Sequence, residues 1–160
     1  MAGSHGTAPP VGWQQEIVLQ QQDVTCGAAA LATMLRLSGR MAPPQPEIVA
    51  ALLDGRTLDD IRRRGGFSLL DLQRYLAEQG VASYGETGLG LGAVLERAPV
   101  IAPLAIGGGR FHYVVVVGQA GGRIAVANPA SGPEWLAQGD FLKAWDGIIF
   151  RLGKPGARSG

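Results

Sequence analysis

The sequence predicts a single domain of the α+β class, with a helical first half and a sheet-forming second half. Up to about residue 98, apolar residues recur at helical spacing, and glycines or prolines separate the segments. Beyond that point β-branched runs alternate with glycine turns, which is typical of antiparallel strands joined by hairpins. A run of helices followed by a run of strands indicates an α+β domain, and 160 residues are enough to bury one core.

Five helical segments are predicted in the first half. The first begins after Thr25, which can cap it, and ends before Ser38-Gly39. Thr57 can cap the third segment, and Ser68 with Asp71 resembles a capping box at the start of the fourth. In order, the five segments cover about residues 26–37, 47–53, 58–64, 69–79 and 91–98.

The second half is predicted to hold four strands and one short helix. A glycine turn separates a first strand, interrupted by Pro103, from a continuous β-branched strand that we expect to be buried on both faces. Gly121-Gly122 then turns the chain into an antiparallel partner that ends at Asn128, and Asp140 can cap the short helix. The strands cover about residues 100–106, 111–118, 123–127 and 148–152, and residues 16–19 form a short strand or extended lead-in.

The ends of the chain are rich in glycine and proline. We expect residues 1–14 to be a flexible tail or cloning remnant, residues 15–153 to be the folded domain, and residues 154–160 to be a second flexible tail. The opening residues lack the apolar stretch of a signal peptide. These residues do not determine the compartment.

Composition and charge exclude several classes of function. The formal net charge is +1, so charge gives no reason to expect nucleic acid or an anionic membrane surface as a partner. The single cysteine excludes an internal disulfide, and with two histidines it does not make a zinc site. The glycines between residues 88 and 92 lack the third glycine and the context of a dinucleotide loop. We expect no cofactor, and we expect the protein to be a monomer.

The single cysteine, Cys26, lies where a polar segment passes into an alanine- and leucine-rich helix. Unpaired N–H groups and the positive end of the helix dipole favour the thiolate there, and the thiolate is the nucleophile. The alternative is that Cys26 is a small buried hydrophobic residue, which is the commoner role of a lone cysteine. The choice depends on whether a suitable imidazole lies nearby.

His112 is the candidate imidazole, because the other histidine, His5, lies in the predicted tail. His112 begins the β-branched strand, and the antiparallel partner strand ends at Asn128, so the two side chains can meet at one end of the hairpin. Asn128 would then accept the Nδ1–H bond of His112 and orient the ring. Taken singly, His112 is also explained as an ordinary polar strand residue, Asn128-Pro129 as a turn, and Gln20 as a surface residue.

The order and spacing of these residues resemble the C39 family of papain-like cysteine peptidases, which remove double-glycine leader peptides from bacteriocin and peptide precursors. That family has a glutamine six residues before a catalytic Cys-Gly, a His-Tyr/Phe-Val-Val strand, and an Asp-Pro sixteen residues after the histidine. The matching segments here are Gln20, Cys26-Gly27, His112-Tyr113-Val114-Val115 and Asn128-Pro129. The resemblance covers about residues 15–152, and Asn128 departs from it because it replaces an aspartate.

The resemblance implies a papain-like fold in which the cysteine helix packs on the antiparallel sheet. It implies that Cys26 is the nucleophile, that His112 is general base and then acid, and that Asn128 orients His112. Gln20 would donate its side-chain amide to the oxyanion, beside the backbone N–H of Cys26.

The same resemblance implies a substrate and a partner, and it leaves two locations open: the bacterial periplasm, if a signal peptide has been removed, or the cytoplasmic face of the inner membrane. The substrate would be a peptide or protein precursor, cut in an extended segment after Gly-Gly or Gly-Ala, with an upstream amphipathic helix docked on an apolar patch. An ABC exporter or secretion system is the implied partner, although we find no Walker A sequence and expect an excised domain or a free-standing form. Two alternatives remain: a peptide-docking module with little turnover, and a papain-like acyl transferase.

Overall fold

The computed structural model describes residues 7–155, in which six α-helices lie outside a six-stranded antiparallel sheet. The helices are α1 (Cys26–Leu37), α2 (Gln45–Leu53), α3 (Leu58–Arg64), α4 (Leu69–Glu78), α5 (Leu91–Arg97) and α6 (Gln138–Ala144). The strands are β1 (Ser83–Glu86), β2 (Val100–Gly107), β3 (Arg110–Ala120), β4 (Arg123–Asn128), β5 (Gly132–Ala137) and β6 (Ile149–Leu152). The predicted α+β class is confirmed.

The helix predictions hold closely, because local signals control helix ends. Capping boxes at Thr57 and Ser68 begin α3 and α4, with the side chains of Asp60 and Asp71 closing them. Helix α2 starts at Gln45, two residues earlier than predicted, because a proline is tolerated in the first turn, where its missing N–H has no intrahelical partner.

Two predicted helix caps are wrong. Thr25 occupies the N-cap position of α1, but its hydroxyl bonds to the backbone of Gln22 and not to the helix. Asp140 lies in the first turn of α6, which begins after Ala137. The predicted extended lead-in to α1 is present from Ile17, while Glu16 belongs to a 3-10 helix that covers Trp13–Glu16.

The sheet has the strand order β1-β6-β2-β3-β4-β5, and each neighbouring pair is antiparallel. Strand β2 continues through Pro103, which pairs with Tyr113, so the predicted interruption is wrong. On its other side β2 pairs with β6 only at Ile101, which leaves little of a hydrogen-bond ladder for a proline to disturb. Strands β1 and β5 were not predicted, since both are short and β5 contains a glycine and a proline.

The sheet is covered on both faces, which explains the continuous apolar run of β3. Val115 and Val117 face a core formed with α1, α2 and α4, and Val114 and Val116 face a second core formed with α5 and α6. Helix α1 lies deepest, since every residue from Cys26 to Leu35 is buried. The first turn of α1 therefore has a fixed position relative to the sheet.

The chain ahead of α1 also packs on the sheet. Trp13 is 3% exposed and joins the core. The folded domain therefore begins before residue 15, where we had placed its boundary. Thr7 and Pro9 cross β3 where the β3–β4 register shifts at Gly118. Within residues 7–155 no helix is both long and apolar enough to cross a bilayer.

We expect Gly118→Ala to lower the free energy of unfolding by about 1–3 kcal/mol. A Cβ atom there would lie 2.6 Å from the backbone oxygen of Thr7 and from the nitrogen of Pro9, so backbone would have to move. Gly92→Ala is the matched control, because a Cβ there meets nothing within 4 Å and α5 should gain about 0.5–1 kcal/mol. Urea unfolding of both variants measures the difference, and equal stability would contradict the packing of the N-terminal segment.

Candidate active site

Cys26 is the first residue of α1, and its side chain is 9% exposed. The turn before it is fixed by Thr25, whose hydroxyl donates to the carbonyl of Gln22 at 3.0 Å and accepts from the N–H of Gln22 at 3.1 Å. The next residue is Gly27, and its lack of a side chain lets the sheet approach closely: a Cβ atom there would lie 3.3 Å from the ring of Tyr113. The thiol is thus held at a helix start that contacts β3.

His112 lies near the start of β3 and bonds to Asn128 at the end of β4. Its Nε2 lies 2.7 Å from Oδ1 of Asn128, and the same oxygen accepts the backbone N–H of Ala130 at 2.9 Å. We predicted Nδ1 for this bond, and the prediction is wrong because the more distant nitrogen, at the tip of the ring, reaches across the hairpin. Since a carbonyl oxygen only accepts, Nε2 carries the proton and Nδ1 is left for the thiol.

The surroundings of His112 favour its charged form. Hydrogen bonding to the side chain of Cys26 raises the pKa of the His112 imidazole above its usual 6.5, and burial opposes that rise. The hydrogen bond to Asn128 and the negative charges of Cys26 and Glu134 raise the pKa further. The structure therefore brings Cys26 and Asn128 to the same imidazole: Asn128 is hydrogen-bonded to His112, and the Cys26 side chain is near enough to raise its pKa.

Gln20 is held at the same end of the sheet. Its backbone N–H donates to the carbonyl of Pro129 at 2.8 Å, directly after Asn128. The buried side chain of Gln45, which the sequence did not single out, donates to the carbonyl of Leu19 at 2.7 Å and accepts from the N–H of Gln21 at 3.3 Å. The backbone on both sides of Gln20 is therefore fixed.

Glu134 on β5 is a second residue that the sequence did not single out. Its Oε2 accepts a hydrogen bond from Nδ2 of Asn128 at 3.4 Å and one from the hydroxyl of Ser131 at 2.6 Å. The only available signal was an acidic side chain six residues after Asn128, in a strand that was itself not predicted.

A cleft of about 470 Å³ opens beside Cys26. One wall is the loop between α3 and α4, the other is the start of β3, and the hydroxyl of Tyr113 ties them by donating to the carbonyl of Phe67 at 2.8 Å. The lining residues include four arginines and no carboxylate: Arg62, Arg63, Arg64 and Arg110.

The four arginines of the cleft differ in their partners. Those on α3 form ion pairs with aspartates outside the lining, whereas Arg110 makes no ion pair within residues 7–155. Among the lining residues, Arg110 is therefore the arginine whose charge no ion pair balances in this part of the chain.

Within residues 7–155 no group of three or more acidic, histidine or cysteine side chains is placed to hold a metal ion.

Known proteins resemble this chain in sequence and in fold. The sequence profile of the Peptidase C39 family matches residues 14–155. The probable functional amyloid protease FapD of Pseudomonas fluorescens is 33% identical over 137 residues, and that of Pseudomonas aeruginosa (strain PAO1) is 32% identical over 137. These alignments cover 85% and 86% of this chain, which spans 59% and 60% of the length of those relatives.

Solved structures with the same fold include two peptidases. A double glycine motif protease from an AMS/PCAT transporter, in complex with the leader peptide, superposes with a TM-score of 0.70 at 20% identity, covering 91% of both chains. The peptidase domain of Streptococcus ComA, a bi-functional ABC transporter, superposes with a TM-score of 0.64 at 18% identity, covering 86% of this chain and 96% of that one. The prediction of a papain-like peptidase fold is confirmed.

We expect the cleft to favour an anionic alkylating agent. Cys26 is the only cysteine, so its rates with iodoacetate and iodoacetamide can be read by mass without ambiguity. Because arginines line the cleft, the iodoacetate-to-iodoacetamide rate ratio should exceed that of free cysteine, and Arg110→Gln should lower it about threefold. Added salt should have the same effect, since it screens the charge.

Arg40→Gln is the matched control for this experiment. It removes the same charge from an exposed arginine that does not line the cleft, and we expect the rate ratio to stay unchanged. A ratio that falls equally in both variants would show that total charge, not the cleft, controls the rates.

Proposed function

The chain belongs to the peptidase C39 family, and from that premise we propose that it cuts peptide or protein precursors after small residues of the Gly-Gly or Gly-Ala type. It is a cysteine peptidase, and we assign the catalytic domain to the predicted residues 15–153 together with the preceding segment from Thr7 that packs on the sheet. The observation that carries the proposal is the position of His112, whose ring bonds to Asn128 at 2.7 Å and whose pKa is raised by the neighbouring side chain of Cys26. That arrangement supports thiol activation by an oriented imidazole.

In the proposed mechanism Cys26 and His112 act as a nucleophile and its base. Nδ1 of His112 takes the thiol proton, and the sulfur of Cys26 attacks the carbonyl carbon of the scissile bond. The proton then passes to the leaving amine, and a thioester remains on Cys26. Water, deprotonated by His112, attacks that thioester, releasing the acid product and restoring the thiol.

The oxyanion formed in each step needs hydrogen-bond donors. We propose that the backbone N–H of Cys26 and the side-chain amide of Gln20 supply them. Support comes from the start of α1, whose first N–H groups have no intrahelical acceptor, and from the bond that fixes Gln20 beside Pro129.

The preference for small residues is supported by the shape of the cleft. The hydrogen bond between Tyr113 and Phe67 ties the two walls beside Cys26, so the cleft cannot widen for a bulky side chain without losing it. Glycines at positions 65, 66 and 109 leave room for the substrate backbone along the same walls. An extended segment with little side chain fits such a passage.

The relatives support a secreted substrate. The two Pseudomonas proteins are named as probable functional amyloid proteases. One structural neighbour is a double glycine motif protease from an AMS/PCAT transporter in complex with the leader peptide, and another is the peptidase domain of a bi-functional ABC transporter. We propose that this chain removes a leader from a secreted precursor and works with an ABC exporter or secretion system. A docked helix upstream of the cut would add affinity.

We expect cleavage of leader-bearing peptides after paired small residues, read by mass over a panel in which the pair is varied. Cys26→Ala should abolish product, and Gln20→Ala should lower kcat about 100-fold because one oxyanion donor is lost. Gln22→Ala, an exposed glutamine in the same segment, is the control and should cut normally. Binding of the panel without cleavage by the unaltered protein would favour the docking module, and transfer to an added amine would favour the acyl transferase.

The pH dependence of cleavage should reflect the raised pKa of His112. The leaving amine takes its proton from the imidazolium, so kcat/KM should fall as pH rises through that pKa, with the midpoint above 6.5. Asn128→Ala removes a bond that favours the charged ring and should move the midpoint to lower pH. A midpoint that stays in place would contradict the proposed role of Asn128.

A further inference from the structure

We propose that Glu134 is a positioning residue that acts on His112 through Asn128. The inference deepens the proposed function and rests on it, because it concerns the same imidazole. Its basis is a continuous set of contacts: His112 to Asn128 at 2.7 Å, Asn128 to Glu134 at 3.4 Å, and Ser131 to Glu134 at 2.6 Å.

The register of the sheet places these side chains on one face. On β3, His112 lies on the same face as Val116, because the two residues are four positions apart. Val116 pairs with Val126 of β4. Val126 in turn pairs with Glu134 of β5, and Asn128 lies two residues further along β4 on the same face. Glu134 and Asn128 are therefore diagonal neighbours, within reach of each other's side chains.

The amide of Asn128 uses both of its ends in this arrangement. Its oxygen accepts Nε2–H of His112 and its Nδ2–H group donates to the carboxylate of Glu134. A carboxylate that accepts from one end of an amide makes the other end a stronger acceptor. A neutral amide cannot balance the charge of an imidazolium, so we assign that balancing charge to Glu134.

The groups that face His112 leave Glu134 as the remaining source of negative charge. From α1 the ring meets Cys26, from β4 the neutral Asn128, and from β2 the apolar Leu104, which pairs with it and bridges to Trp145. Besides Cys26, Glu134 is the acidic group whose charge raises the pKa of His112. The hydroxyl of Ser131 fixes the same carboxylate oxygen that Asn128 contacts.

The test is an NMR titration of the His112 ring in a Cys26→Ala background, which removes the thiol's contribution and needs no substrate. Glu134→Gln keeps an oxygen for Asn128 and Ser131 but loses the charge, so the pKa of His112 should fall by about half a unit. The only other histidine, His5, serves as internal reference. Glu96→Gln, an exposed glutamate on α5 without a hydrogen bond or ion pair in residues 7–155, should leave the His112 titration unchanged.

A second experiment tests whether Glu134 supplies charge to His112 or only stabilises the turn between β4 and β5. Asn128→Asp places a carboxylate on His112, but next to Glu134 it creates a repelling acidic pair. The double variant Asn128→Asp with Glu134→Gln should therefore cleave faster than either single variant, with kcat changing and KM constant. A His112 pKa that does not change on Glu134→Gln, or a double variant slower than both singles, would overturn the proposal.

The two proposals fail in different ways. If the protein cleaved none of the peptides, the proposed function would fail while the His112 titration still measured the effect of Glu134. If cleavage were normal and the titration did not respond to Glu134→Gln, only the role of Glu134 would be lost.

Discussion

The packing of α1 against the sheet is the contact on which the other parts of the site depend. A helix satisfies its own backbone hydrogen bonds, so a helix with small buried side chains can lie against apolar strands at little cost. Gly27 lets the ring of Tyr113 approach the first turn, and Tyr113 then reaches the carbonyl of Phe67. The same contact therefore fixes the depth of Cys26 and one dimension of the cleft.

The second half of the site follows from strand order. Antiparallel hairpins bring residues far apart in sequence to one edge without a long loop, and β3, β4 and β5 are consecutive in both sequence and sheet. His112, Asn128 and Glu134 occupy one face of those three strands, because the register pairs Val116 with Val126 and Val126 with Glu134. The bond from Gln20 to Pro129 ties the segment before α1 to this edge, so the two halves of the site share a backbone contact.

The parts that could be predicted from sequence are those that local chemistry controls. The limits of α1, the capping boxes at Thr57 and Ser68, and the buried strand around Val115 all follow from short-range patterns. Strand β5 does not, because Pro133 and its exposed residues obscure the strand period. Glu134 was missed for that reason, since its contact with Asn128 exists only through the β4–β5 register. The choice of Nε2 over Nδ1 likewise depends on reach across a hairpin, which spacing alone does not measure.

The glycine turns of the sheet and of the α3–α4 loop bear on whether the enzyme would cleave its own chain. Residues 7–155 contain glycine pairs of the kind proposed as a substrate, at 65–66, within 107–109, and at 121–122. Each of these glycines has a positive φ, between 58° and 120°, and so lies in a tight turn that does not match the extended backbone a narrow cleft accepts. Under the proposed specificity, folding therefore keeps the enzyme's own glycine pairs out of the extended form in which a substrate would be cut.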